Sequence, residues 1–278
     1  MAVQYYLFPK IRAVEFRAHA GAYVVGVPQP TAMAGFAYAL GLKLSEKTGL
    51  KLNAKPGVLY GVSDFSGFSG PSLNQRSGSD TLKSKAPVPA PIDDRVRASA
   101  TITLFLELSA DDENALPSAA QVQYFIERMR IQSASLFIQS PGVASHDLQQ
   151  LLKKVPSDVF FLLDSTQDMQ ASVEAGLSPA EALAQKIRRP ADNSTYKPRW
   201  VPLLVGWRPF QELAGIQAEP VLTEPVLGLG LFASKGSLRT KAADPEFPLF
   251  WKHSVEAAPL PHYVVKAFPP APSEVDLF

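Results

Sequence analysis

Val96-Arg97-Ala98-Ser99-Ala100-Thr101-Ile102-Thr103-Leu104-Phe105-Leu106-Glu107-Leu108 is the stretch on which the fold turns. Thr101, Thr103 and Phe105 alternate with Ile102, Leu104 and Leu106, the period-two pattern of a strand. Upstream, Gln4–Phe8 and Ile11–Ala18 read as one extended segment interrupted at Pro9, and Val58–Ser63 reads as a short strand. Between them Met33, Phe36, Ala37, Leu40 and Leu44 recur at helical spacing. Gln29 or Thr31 caps that helix, Pro30 suits its first turn and Gly49 ends it. Downstream, Val122, Phe125, Ile126 and Met129 share one face of a helix over Pro117–Arg130, and Ile131–Gln139 is a further strand.

Taken in order these elements predict an α+β chain with a ferredoxin-like (RRM-like) βαββαβ domain. Two helices would cover one face of an antiparallel sheet and leave the other free. The domain spans residues 1–142. A long stretch over residues 65–95, rich in Ser, Gly and Pro, falls between its second and third strands. Loops of that length are usually functional or disordered, and here one would project from the end of the sheet as an arm. Residues 143–278 read as a less regular α+β region with a proline-rich tail from Pro259. Asp147–Lys154 is a short helix there, and Ser178-Pro179-Ala180-Glu181 is a capping box that opens a helix to Arg188. Val159–Leu163, Trp200–Trp207, Phe247–Val255 and Tyr263–Phe268 are candidate strands.

The chain has 278 residues, with Lys plus Arg 27 and Asp plus Glu 26, a formal net charge of +1. That balance argues against coating nucleic acid by bulk charge, but not against a local basic groove. Residues 1–100 hold 12 basic and 6 acidic side chains, so the basic surplus lies in the first third. Cysteine is absent, which excludes disulfides, thiolate metal sites and a thiol nucleophile. No leader pattern and no membrane-length apolar run is read, so a cytoplasmic protein without membrane association is expected.

Catalytic and metal motifs are weak. His19, His146, His253 and His262 have no metal-ligand spacing, and Asp111-Asp112-Glu113 reads as a solvated turn. Pro71 breaks the nucleophile-elbow pattern around Ser69. Gly228–Gly236 lacks the glycine pattern of a dinucleotide loop and the Gly-Lys-Ser/Thr of a phosphate loop. It reads as a glycine turn with Lys235 available to a phosphate. No metal and no cofactor is expected. The arm carries the strongest signal. Arg76, Lys83 and Lys85 lie on it, with Arg95 and Arg97 at its base, as in a hairpin that grips a phosphate backbone. Phe65, Phe68 and Leu82 flank these cations as candidate wedges against bases. Gln29 and Thr31 open a helix whose free N–H groups suit a phosphate. The third strand lacks the aromatic RNA-recognition signature, which argues against stacking of bases on the open sheet face.

Val27-Pro28-Gln29-Pro30-Thr31-Ala32-Met33-Ala34-Gly35-Phe36-Ala37-Tyr38-Ala39-Leu40 resembles the segment that opens the first helix in the Csy-type subunits of type I-F CRISPR surveillance (Cascade) complexes. Arg97–Leu108, Leu136–Gly142, Trp200-Val201-Pro202-Leu203 and Leu249–His253 are similar to that family in order along the chain. The resemblance implies a non-catalytic RNA-binding subunit of the repeat-associated RNA-binding superfamily. Such a subunit caps the 5′ handle of the CRISPR RNA, contacts the backbone subunit and faces incoming target DNA. It implies RNA contacts at Gln29, Thr31, Arg76, Lys83, Lys85, Arg95 and Arg97, with Lys235 and Arg239 as extra contacts. Two relatives of this reading remain open. One is a guide-processing endoribonuclease with His19 as its acid–base group. The other is the repeating backbone subunit.

Overall fold

The computed structural model describes residues 2–20, 24–49, 51–52, 56–69, 96–112, 116–187, 199–209, 223–256 and 262–271. The first half contains β1 (Ala2–Arg17), β2 (His19–Ala20), β3 (Val24–Val25), α1 (Pro30–Thr48), β4 (Gly57–Ser69), β5 (Arg97–Ala110), α2 (Ala119–Ile126), β6 (Arg130–Ile131) and β7 (Ala134–Ile138). The second contains β8 (Val143–Ser145), α3 (Leu148–Lys153), β9 (Phe160–Asp164), α4 (Gln167–Glu174), α5 (Pro179–Ile187), β10 (Arg199–Pro209), β11 (Thr223–Ser234), α6 (Lys235–Lys241), β12 (Phe250–Glu256) and β13 (His262–Phe268).

Eleven strands form one sheet in the order β12-β13-β10-β11-β9-β4-β5-β1-β7-β6, with β8 beside β1. Its pairings are antiparallel. β12 also meets β4 at Trp251 and Val58, so the path from β4 through β9, β11, β10, β13 and β12 returns to β4. α1 packs against β4, β10, β12 and β13, and the sheet curls around it.

The fold is therefore not the small βαββαβ ferredoxin-like domain expected from the order of elements. One large sheet takes its place, for two physical reasons. The first is that β5 is buried on both faces. Ile102, Leu104 and Leu106 join Tyr6, Phe8, Leu40 and Tyr60 in one core. Phe105 joins Tyr5, Leu7, Leu59 and Phe161 in another, which the α3 residues Leu148, Leu151 and Leu152 and the α6 residue Leu238 cover. The ferredoxin-like order of elements implied that one face of this sheet would stay free. Thr103 is instead fully sealed, and its hydroxyl donates to the Pro9 carbonyl at 2.7 Å, in the bulge where β1 shifts register between Phe8 and Ile11.

The second reason is the outer edge of β4, which is occupied by β9. Gly61 allows that approach, since a Cβ there would lie 2.5 Å from Val159 Cγ1. The second half is thus bound into the same sheet.

Local signals were read closely at α1. Gln29 is its N-cap residue, Pro30 opens it, and Gly49 closes it in the left-handed conformation (φ 70°) with its N–H on the Ser45 carbonyl. Met33, Phe36, Ala37, Leu40 and Leu44 are buried as their spacing requires, each large side chain contributing roughly 1.5–3 kcal/mol of burial. α2 is shorter than expected. It is capped by Ser118 and Gln121 in a reciprocal box, and Gln132-Ser133 then turn the chain between β6 and β7. The predicted box at Ser178 is present, with Glu181 accepting from the Ser178 backbone N–H at 2.9 Å.

The glycine-rich stretch is corrected. Gly228 and Gly230 lie within β11, not in a turn. A Cβ on Gly230 would stand 2.8 Å from Leu203 Cδ1 and 2.9 Å from Leu162 Cδ1, so these glycines serve tight strand packing. In the tail, β13 pairs with β12 from His262 to Phe268. The Glu107 carboxylate, 4% exposed, binds the Lys252 ammonium and accepts from the Ala271 backbone N–H at 2.8 Å. The Tyr5 hydroxyl donates to the Ala271 carbonyl at 3.1 Å, so β1 and β5 together hold the end of the described chain.

Substituting Gly230→Ala is expected to destabilise the protein by about 1–3 kcal/mol through overpacking. Gly35→Ala, on α1 with nothing within 4 Å of its would-be Cβ, is expected to stabilise it by about 0.5–1 kcal/mol. Paired urea-unfolding curves check both; equal midpoints would refute the packing argument.

Candidate nucleic-acid interface

β4 runs on to Ser69 and β5 begins at Arg97, so residues 65–69 of the expected arm belong to a strand, and residues 70–95 lie outside the described residues. Ser69 pairs with Arg97, and Arg17 of β1 pairs with Arg97 on the other side. Register decides which side chains this end of the sheet presents. Ile11, Ala13 and Phe16 of β1, and Ala18 just after it, are buried in the α1 core, so Arg12 and Arg17 point outward and are exposed. In β5, Ala98 and Ala100 point inward, which turns Arg97, Ser99 and Thr101 outward. In β6, Ile131 is inward and Arg130 outward. Four arginines, Arg12, Arg17, Arg97 and Arg130, therefore share one face.

That face has little to neutralise it. Glu15 pairs with Arg97, Oε2 to Nη1 at 3.3 Å, with both side chains well exposed, so the pair contributes at most about 1 kcal/mol. Arg12, Arg17 and Arg130 carry no ion pair among the described residues. Asp64 lies exposed at the rim. α3 and α6 cover the outward face only farther along the strands, around Tyr5, Leu7 and Phe105.

Backbone strain gathers at this end. Glu15 (φ 55°), Asp64 (φ 47°), Gln132 (φ 47°) and Ser133 (φ 73°) are left-handed without being glycine, a conformation costing roughly 1–2 kcal/mol per residue. Glu15 and Asp64 sit in bulges, β1 shifting between Ala13 and Phe16 and β4 between Ser63 and Ser66. Ser99 joins the two bulges: its hydroxyl accepts from the Glu15 N–H at 3.0 Å, and its carbonyl accepts from the Ser66 hydroxyl at 3.0 Å. Gln132 accepts the Arg17 N–H on its backbone carbonyl at 2.9 Å and the Gln29 N–H on its side chain at 3.2 Å. The start of α1 is thereby tied to the arginine-bearing end of β1.

Gln29 is 1% exposed. Its Oε1 accepts the Leu204 N–H at 2.9 Å, and its Nε2 donates to the Val27 carbonyl at 2.8 Å. Both polar atoms are thus engaged inside the fold, joining α1 to β10, and its side chain makes no cap bond to the helix. Tyr60 secures the same loop by donating to the Pro28 carbonyl at 2.6 Å. Burial pushes its phenol well above the ordinary value, which keeps it a neutral donor. Thr31 is half-buried in the first turn.

Arg76, Lys83, Lys85 and Arg95 lie outside the described residues, as does Leu82. Phe65 is exposed and stacks edge-on against Phe16, centroids 6.3 Å apart. Lys235 opens α6 beneath the sheet, and its ammonium donates to the Lys153 carbonyl at 3.0 Å and to the Val155 carbonyl, capping α3. Arg239 is exposed on α6. These two belong to the α3–α6 layer, not to the arginine face. Arg12, Arg17 and Arg130 were not among the sequence-derived contacts. The signal for Arg12 and Arg17 was present as cations interleaved with Ile11, Ala13, Phe16 and Ala18.

His19 pairs through its backbone with Val25. His146 Nδ1 bonds the Val3 carbonyl at 2.7 Å, and His253 meets the Tyr38 ring edge-on. Among the described residues, no group of three or more His, Asp or Glu side chains is placed to hold a metal ion. No helix among them is long and apolar enough to cross a membrane.

Replacing Gln29 with Leu leaves the Leu204 N–H without its acceptor and is expected to cost about 1–3 kcal/mol. Arg17→Ala, on the exposed face, is expected to change stability by less than about 0.5 kcal/mol. Thermal melts of the two variants check this, and an unaltered Gln29→Leu melt would contradict the buried bridge. No known protein family matches the chain, and no curated protein does.

Proposed function

We propose that this chain is a non-catalytic CRISPR RNA-binding subunit of a type I-F surveillance complex in cytoplasmic antiviral defence. It caps the 5′ handle of the guide RNA and contacts the backbone subunit, on the side where target DNA enters. One observation carries the reading: four outward arginines, Arg12, Arg17, Arg97 and Arg130, share one face of the sheet, and three of them, Arg12, Arg17 and Arg130, carry no ion pair among the described residues. Guanidinium groups suit phosphate because their planar N–H fork bonds two oxygens at once. A strand face with Arg17 opposite Arg97 and with Arg12 and Arg130 on neighbouring positions suits an extended backbone rather than one isolated anion. The resemblance at Val27–Leu40 supplies the choice of complex. Through Gln132, which accepts from both the Gln29 N–H and the Arg17 N–H, the resembling segment is joined to the arginine-bearing end of β1.

The test is co-purification. The tagged chain is expressed with a CRISPR array and neighbouring subunits, and the short RNA that elutes is sequenced. One defined guide RNA per copy, with its 5′ handle protected from nuclease, is expected. Heterogeneous RNA or none would overturn the proposal. Changing Arg12, Arg17, Lys83 and Lys85 to Ala should weaken binding and flatten the salt dependence by up to about 0.7 per lost phosphate contact. An unchanged slope would mean that this face and the arm do not bind phosphate.

A further inference from the structure

Phe137 is 55% exposed, the most exposed large hydrophobic side chain among the described residues. It stands on β7, whose Ala134 and Leu136 point into the α1 core, so its ring points outward onto the arginine face. Arg12 is its directly opposite cross-strand partner, which places their Cβ atoms about 4.5–5.5 Å apart. Ser135 is the next outward residue on β7, and it pairs with Val14 on one side and Arg130 on the other. Phe137 makes no aromatic ring contact among the described residues.

We propose that Phe137 is a stacking platform for one base of single-stranded RNA, with Arg12 beside it on that nucleotide's phosphate. The inference rests on the RNA-binding reading above and names a contact which that reading does not contain. A phenyl ring left in water forgoes the burial that strand positions normally secure for it. A protein partner would need an apolar patch around the ring, and the outward neighbours here are Arg12, Ser135 and only one half-buried apolar side chain, Val14. A nucleotide needs what is present: one π face and an adjacent cation. Stacking of this kind is tolerant of base identity. The third-strand signature that argued against base stacking concerns β5. The aromatic that meets the requirement is on β7, where no motif marks it.

The test uses the full chain and a fluorescein-labelled oligouridylate, titrated by anisotropy across a salt series. Phe137→Ala and Phe137→Leu should each weaken binding by about five- to a hundredfold, the range of one base–aromatic stack, with the salt slope unchanged. Phe137→Trp should bind at least as tightly as wild type. Arg12→Ala should flatten the slope. Unchanged melting curves for the Phe137 variants establish that the fold is intact. If wild type binds and both Phe137→Ala and Phe137→Leu bind equally well, stacking is refuted while the RNA-binding reading stands. A wild-type chain that binds no oligouridylate overturns the sequence-tolerant stacking platform, while the co-purification above decides the RNA-binding reading by itself.

Discussion

Everything else in this protein depends on the burial of β5 on both faces. Ile102, Leu104 and Leu106 are locked under α1, while Phe105 is locked under α3 and α6. A central strand buried twice cannot slip register, because a shift of one residue would exchange its two faces. β1 and β4 flank it along most of their length and inherit that register. The positions of the outward arginines follow. Arg12 and Arg17 face out because Ile11, Ala13 and Phe16 must face in.

The second layer is what turns a sheet into a site. α3 and α6 cover the outward face around Tyr5, Leu7 and Phe105, and the arm-bearing end carries arginines. Outward exposure along β5 accordingly rises from Thr103, fully sealed, to half-exposed Ser99 and Arg97. The four left-handed non-glycine residues cluster at the same end. Strain of this kind persists only where surrounding contacts over-determine the backbone, and it is common at functional sites. Here Ser99 and Gln132 supply those contacts.

Much of the local structure was legible in the sequence, and for identifiable reasons. α1 announced itself through Pro30, Gly49 and five apolar residues at helical spacing. The α5 capping box was visible at Ser178 and Glu181, and β5 in its alternation. The errors came where one pattern has two physical causes. One sheet face was expected to stay free, but Thr103 on that face is sealed and donates to the Pro9 carbonyl. Gly228 and Gly230 resembled a turn but are strand residues crowded by Leu203 and Leu162. Gln29 resembled a free helix-opening group, yet its side chain is spent on Leu204, 175 positions away. Phe137 carried no signal, because exposure of a single strand residue depends on what packs above it.

The sequence by itself did not disclose α4, α6 or β11; it determined α1 with its interior stripe, α3, α5, most of the long strands and the basic character of the first third. Those follow from short-range periodicity and from the chemistry of individual residues. Only the tertiary structure decided that β9 takes the edge of β4 and that the two halves share one sheet. It alone decided which end of that sheet leaves its arginines and Phe137 in water. These outcomes depend on contacts between residues far apart in the chain, such as Gly61 with Phe161 and Glu107 with Lys252. Side-chain volume and hydrogen-bond satisfaction select such contacts only once the chain has closed on itself.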